Sequence, residues 1–263
     1  MKWWFSDYDG TINLQHNDYI DPKDLEFINR WIEQGNKFAI ATGRMEHEIR
    51  PQLEAANIPY NYMVCNNGAV VYEKGKGIIS KTSIPMESRK DIIELFEEIR
   101  DKYTLGYCIL DERRGYSRVV EKEIDDNKFL TDYAPRENNF EIATQEILED
   151  QDLNLLYIYV RQDGVEEVKK IIEGRVKGCK AVRTHVNVIE IMNENVSKAH
   201  GIFEVQKLKG FELDDVVTSG DGENDIEMLA MTKHGFGMKH HQPGVEKVVD
   251  HLIDHVYEIE KLI

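Results

Sequence analysis

The sequence predicts an α/β protein: a parallel-sheet core with helices on both faces, interrupted by an inserted α+β module built on an antiparallel sheet. Three observations carry this. Short apolar runs alternate with helix-period segments over the first two-fifths of the chain. The same alternation returns after Ser197. Between them the order changes to helix-strand-strand, twice. The expected division is a discontinuous core, 1–82 and 193–263, and an inserted domain, 83–192. A length of 263 residues suits one large domain or two modest ones.

In chain order, Trp3 to Ser6 is an apolar run that stops at Asp7, as a buried strand would. Asp21-Pro22 is a helix start, followed by Leu25, Ile28, Trp31 and Ile32 at helical spacing, with Gly35 as the stop. Lys37 to Ala41 is a second strand running into Thr42-Gly43-Arg44. A helix through Ile49 and Leu53 follows, then a third strand, Tyr62 to Cys65. Ala69 to Tyr72 and Ile78-Ile79 flank Gly75-Lys76-Gly77 as a hairpin. In the module, Ile92, Ile93, Leu95, Phe96 and Ile99 mark an amphipathic helix. Strands are expected at Leu105–Leu110 and Tyr116–Val120, joined by a turn over 111–115. A second helix carries Val165, Val168, Ile171 and Ile172, with strands at Lys180–Arg183 and Val188–Met192. Back in the core come a helix to Lys209, a strand Val216–Ser219 and a helix after Asp225.

Composition narrows the function classes. Forty-nine acidic residues against 33 basic ones leave a net charge of −16, which disfavours binding a nucleic-acid backbone or an anionic membrane surface. No run approaches the roughly 18 apolar residues of a membrane helix. The first residues turn acidic too soon for a signal peptide. Cys65, Cys108 and Cys179 are odd in number and scattered, which fits a cytoplasmic protein without a disulfide frame or a zinc site.

Three strand ends carry polar residues suited to chemistry. Asp7-Tyr8-Asp9-Gly10-Thr11 places two carboxylates at the carboxyl edge of a strand, where open α/β sheets bind ligands. Taken alone, an acidic Asp-Gly turn explains it as well. Thr42-Gly43-Arg44 offers a hydroxyl, an unobstructed amide and a cation for an anion, or a plain helix cap and a solvated arginine. Gly220-Asp221-Gly222-Glu223-Asn224-Asp225 adds acids that, with Asp7 and Asp9, would make an oxygen-rich site for a hard cation; the alternative is a helix start stocked with acids. Lys198 opens the returning helix, where most lysines are solvated. His251 and His255 lack the Glu of a zinc protease between them, and His240-His241 has no Cys or acid cluster around it. Surface or capping roles are expected for all four. Gly235-Phe236-Gly237 lacks the third glycine of a dinucleotide fingerprint.

Taken in order, Asp-Tyr-Asp-Gly-Thr at 7–11, Ala-Thr-Gly-Arg at 41–44, Ser-Lys at 197–198 and Gly-Asp-Gly-Glu-Asn-Asp at 220–225 resemble the haloacid dehalogenase superfamily of phosphohydrolases, and its Cof-type branch in particular. Asn66-Asn67-Gly68-Ala69 resembles that branch's Asn-Gly-Ala segment. The resemblance implies a Rossmann-like core, an inserted cap and a Mg²⁺-dependent phosphatase of small phosphorylated metabolites such as sugar phosphates. It implies Asp7 as nucleophile and Asp9 as general acid and base. Mg²⁺ would be held by Asp7, Asp221 and the Asp9 carbonyl, with Asp225 orienting a metal-bound water. Thr42 and Lys198 would bind the transferring phosphoryl group, with Asn224 and the Tyr8 and Gly43 amides nearby and Arg44 in support. Arg113, Arg114, Arg183 and His185, expected in module turns, are the candidates for substrate selection. A phosphohexomutase-like phosphotransferase and a non-catalytic phosphometabolite-binding protein are the alternatives on the same fold. Two departures stand out: Lys239-His240-His241 follows Gly237-Met238 where the branch usually has Gly-Asn-Ala, and Ala199 replaces the Gly after the lysine.

Overall fold

The computed structural model describes residues 1–17, 19–119, 140–160, 164–185 and 187–263. The chain divides into two compact units, Met1–Ser80 with Val196–Ile263, and Lys81–Asn195. No helix among the described residues is long and apolar enough to cross a membrane.

The first unit is built on an eight-stranded sheet. Its first half contributes β1 (Trp3–Ser6), β2 (Lys37–Ala41), β3 (Tyr62–Cys65), β4 (Val70–Glu73) and β5 (Gly77–Lys81). The returning chain adds β11 (Val216–Gly220), β12 (Gly235–Met238) and β13 (His251–Ile253). The order is β13-β12-β11-β1-β2-β3-β4-β5. From β13 to β3 all pairs are parallel, and β4 turns back antiparallel to β3. β1 is central and buried on both faces, which explains its unbroken apolar run. Trp4 packs against Phe27 and Trp31 of α1 (Pro22–Glu33) on one face. Trp3 and Phe5 point the other way, into a cluster with Ile202 and Val205 of the helix Lys198–Lys209. Asp21 caps α1 through Lys23 N–H, and Pro22 takes the first helical position.

β1 pairs with β2 on one side and β11 on the other, so the chain departs in opposite directions from neighbouring strands. That is the switch point where α/β sheets open a crevice. Ser6 lies level with Ile40 and Ser219, so the segments that follow all three strands emerge at one edge.

The second unit has a five-stranded antiparallel sheet of order β7-β6-β8-β10-β9: β6 (Thr104–Ile109), β7 (Glu112–Ser117), β8 (Leu153–Tyr159), β9 (Cys179–His185) and β10 (Val188–Asn193). Its helices are α3 (Arg89–Ile99), α4 (Phe140–Glu149) and α5 (Val165–Arg175); α2 (Glu46–Ala55) belongs to the first unit. They share one apolar cluster with alternate sheet residues such as Leu105, Tyr107, Leu156, Ile158, Ile189 and Ile191.

Three expectations need correction. The turn over 111–115 is shorter: Leu110, at φ 50°, and Asp111 close a tight hairpin, and β7 already runs from Glu112. Val120 lies outside the described residues. Arg113 and Arg114 are therefore strand residues. Arg183 also sits within β9, level with Ile189 rather than in a turn. The sequence also raised no expectation of α4 or of the central strand β8, whose Leu-Asn-Leu-Leu-Tyr-Ile-Tyr is buried throughout but carries Asn154 within it and lacks an alternating signature. Gly235-Phe236-Gly237 is part of β12. After Asp225 the helix α7 (Ile226–Ala230) has only five residues, preceded by a 3₁₀ turn; the helix Lys198–Lys209 is α6.

Candidate active site

Asp7 follows β1 directly, and its N–H donates to the Ser219 carbonyl (2.9 Å), extending the parallel pairing by one residue. Its side chain is buried, and Lys198 Nζ donates to Asp7 Oδ1 at 2.7 Å and to Asp225 Oδ1 at 2.6 Å. Lys198 is 1% exposed, so the solvated lysine expected from position alone is the wrong picture. Ser197 caps α6 through the His200 N–H (3.2 Å) and aims Lys198 inward from its first turn. Burial opposes the charge on Lys198, but Asp225 and Asp7 outweigh it and raise its pKa.

Asp225 is fully buried. Its Oδ2 accepts from the amides of Asp221 (3.0 Å) and Gly222 (2.9 Å), which folds the acidic loop after β11 around it. Asp7, Asp221 and Asp225 each offer a carboxylate oxygen within 4.8 Å of the others. Gly10, at φ 80°, lets the first loop press on this cluster: a Cβ there would fall 2.5 Å from Asp221 Oδ2. Thr11 donates to Asp221 Oδ1 (3.1 Å). Burial, then the repulsion of Asp225, Asp221 and Asp9, pushes the Asp7 carboxyl well up despite Lys198. Burial and Asp225 likewise raise Asp221. One ammonium among these carboxylates leaves the site short of positive charge. All-oxygen donors in that state fit a hard divalent cation such as Mg²⁺.

Asp9 points to a different partner. Arg44 grips it with a bidentate fork, Nε to Oδ2 and Nη2 to Oδ1, both 2.6 Å. Thr42 is buried at the end of β2, and its Oγ1 accepts from the Arg44 amide (3.1 Å) rather than capping a helix. α2 starts at Glu46, where Glu48 reaches back to the Met45 N–H (2.9 Å). Tyr8 is buried, its carbonyl accepting from the amides of Ile12 and Asn13. Asn224 donates to Asn67 Oδ1 (3.0 Å), beside Gly43.

The structure thus gathers Asp7, Lys198, Asp221 and Asp225, with Asp9 on the Asp7 loop held by Arg44 from the segment after β2, and Thr42, Gly43 and Asn224 on neighbouring strand ends. The residues proposed for substrate selection do not form one group. Arg114 pairs with Tyr107 across the strands and forms ion pairs with Glu112 and Glu146, the latter on α4. Arg113 lies on the other sheet face, 5.6 Å from the Tyr157 ring centroid. Arg183 shares the face of Ile189, and the side chain of His185 lies outside the described residues.

The sequence assigns no role to Thr11, Asn67 or Gln242, and only a surface or capping role to His240. The Lys239-His240-His241 departure proves to be a strap: His240 Nε2 donates to the Gly10 carbonyl (2.7 Å) and Gln242 N–H to the Asp221 carbonyl (2.7 Å). The Glu223 amide closes it by donating to Gln242 Oε1 (3.0 Å). His255 is no bland surface residue either, since its Nδ1 meets the fully buried Asp24 (3.0 Å).

Known proteins agree with this architecture. The Bacillus subtilis 5-amino-6-(5-phospho-D-ribitylamino)uracil phosphatase YcsE is 22% identical over 248 residues, covering 94% of this chain and 88% of its own. The phosphatase BT1666 of Bacteroides thetaiotaomicron superposes with a TM-score of 0.81 at 21% identity, covering 100% of this chain and 94% of its own. The subclass IIB sugar phosphatase BT4131 superposes at 0.80 with 22% identity, covering 100% and 98%. The family model of haloacid dehalogenase-like hydrolases matches residues 4–260. With that match spanning nearly its whole length, the chain belongs to the haloacid dehalogenase-like hydrolases, as an enzyme of the Cof type.

Proposed function

We propose that this enzyme hydrolyses small soluble phosphomonoesters, sugar phosphates or similar organophosphates, through an aspartyl-phosphate on Asp7. The observation that carries the reading is the buried Lys198 ammonium between Asp7 and Asp225, with Asp221 alongside. An Asp7 carboxylate oxygen forms the new bond to phosphorus as the ester P–O bond breaks. Asp9 gives its proton to the leaving oxygen, then takes one from the water that opens the aspartyl-phosphate, releasing inorganic phosphate and restoring Asp7. Arg44 donates to both Asp9 oxygens, so one arm of the fork releases while Asp9 carries the proton and both arms close on the carboxylate once it is given up. Thr42, Lys198, Asn224 and the Tyr8 and Gly43 amides steady the phosphoryl oxygens, where fixed donors stabilise a charge-spread transition state. Asp7, Asp221 and the Asp9 carbonyl would hold Mg²⁺, and Asp225 would orient its water. When bound, Mg²⁺ neutralises the acid cluster so that a phosphate dianion can approach. The unit Lys81–Asn195 is assigned the choice of leaving group.

The test is a panel of phosphorylated metabolites with Mg²⁺, scored for free phosphate, with Asp7→Asn in parallel. Release from at least one ester, lost in Asp7→Asn, is expected. Release that persists in Asp7→Asn removes the nucleophile assignment, and isomerised product without phosphate replaces hydrolysis with a mutase reaction.

A further inference from the structure

We infer that the turn Asn66-Asn67-Gly68 is the hub that holds three phosphate-facing segments of the site in register, and that Asn67 is its positioning residue. The inference rests on the phosphatase reading above and adds to it a part that the sequence motifs leave without a role.

Three consecutive residues here have left-handed backbones, with φ of 51°, 53° and 102°. Only glycine takes that region freely; asparagine enters it at a cost, and consecutive visits persist only where the surroundings enforce them. What enforces them is on all sides. The Asn66 amide donates to the Arg44 carbonyl and the Asn67 amide to the Thr42 carbonyl, both at 3.0 Å, so the turn pins each end of Thr42-Gly43-Arg44. The Asn67 side chain is 3% exposed, and its Oδ1 accepts from Asn224 Nδ2 on the acidic loop. A Cβ added to Gly43 would sit 3.1 Å from that same oxygen, so the loop and the amide are already in contact. A Cβ on Gly68 would fall 1.9 Å from the Ser197 carbonyl, an impossible approach for any other residue. The turn therefore seats against the start of α6, one residue before Lys198. One strained turn touches the segments after β2 and β11 and the helix that delivers the lysine. Residues that lock such groups from behind set how well they are aimed, and strain stored beside a site is tolerated for that reason.

Asn67→Gly separates the two roles of the residue, because glycine accepts the left-handed backbone while losing the amide. With p-nitrophenyl phosphate as substrate, Asn67→Gly is expected to keep the wild-type melting temperature. Its kcat/KM should fall about tenfold, and inorganic phosphate should inhibit it correspondingly more weakly. Asn67→Ala should lose melting temperature as well. Asn224→Ala should fall similarly, and the double variant should be little worse than either single, as expected for two ends of one contact. Amide exchange at Asn66 should quicken in Asn67→Gly whether or not a substrate is turned over. Unchanged kcat/KM and phosphate inhibition in Asn67→Gly, or losses that multiply in the double variant, overturn the positioning role while wild-type phosphate release leaves the phosphatase reading standing. If the wild type releases no phosphate from any ester, the phosphatase reading fails instead. Exchange at Asn66 then decides the hub, and unchanged protection overturns it.

Discussion

Among the described residues, each unit buries one long cation to 1% exposure, and the two are surrounded very differently. Lys198 in the first unit meets two carboxylates, Asp7 and Asp225, and its charge is reinforced by them. Arg89 in the second unit donates to backbone carbonyls: Ile84 (3.0 Å), Ile147 (3.2 Å) and Asp150 (2.5 Å). The last two lie at and just past the C-terminal end of α4, whose unpaired carbonyls and negative dipole end welcome a cation. Burial lowers the Arg89 pKa, with Asp150 only partly offsetting it. Burial of a charge therefore does not mark a reactive site. A set of like-charged groups crowded around a single counter-ion does, because it leaves charge for a ligand to balance.

Substitution at the two centres should break this symmetry in opposite senses. The largest effect is expected at Asp7→Asn, where phosphate release falls below detection. In metal-free buffer its melting temperature should equal or exceed that of the wild type, since burial and neighbouring acids already disfavour a charge there. Arg89→Met should do the reverse. It strands the buried carbonyls of Ile84 and Ile147, while that of Asp150 keeps the Leu153 N–H (3.4 Å), and is expected to cost about 3 kcal/mol in urea unfolding, with kcat per folded molecule retained. Arg44→Lys tests the intermediate case of a half-buried cation with one carboxylate. A lysine cannot reproduce the fork on Asp9, and kcat/KM should fall about tenfold.

The smallest effect sharpens the comparison with a buried acid away from the site. Asp24 is fully buried, bonded to His255 and to the Tyr257 amide (3.0 Å). Burial raises its carboxyl, partly opposed by these bonds. The folded chain thus holds this proton more tightly than the unfolded one. Its stabilising contribution is complete below about pH 4 and is withdrawn as pH climbs through the raised folded value. Asp24→Asn lacks that slope, so the stability of the wild type relative to the variant should decline with rising pH in denaturant titrations.

Much of the fold was legible because its signals are local. Trp3 to Ser6 and Lys37 to Ala41 are short apolar runs between helices, and Asp21-Pro22 and Gly35 bracket a helix with standard capping chemistry. β8 is buried throughout like β1, but Asn154 and two tyrosines interrupt its apolar run and leave neither an unbroken stretch nor an alternation to read. Arg113 and Arg114 were misplaced because Leu110 is an unexpected residue for a left-handed turn position. The acids of the site were visible in their motifs; Asn67 was visible only as a motif residue without a role and Gln242 not at all, since their value lies in what they touch.

By itself, the sequence determined the parallel α/β core, the interruption by a second unit and the four motif segments that identify a haloacid dehalogenase-like hydrolase. Hydrophobic period, turn residues and motif spacing are properties of neighbours along the chain. Only the tertiary structure decided that Lys198 is a buried counter-ion, that Arg44 holds Asp9 and that His240 straps the Gly10 loop. Those partners stand 191, 35 and 230 residues apart, and such contacts exist only once a sheet edge has collected its strand ends and desolvated them.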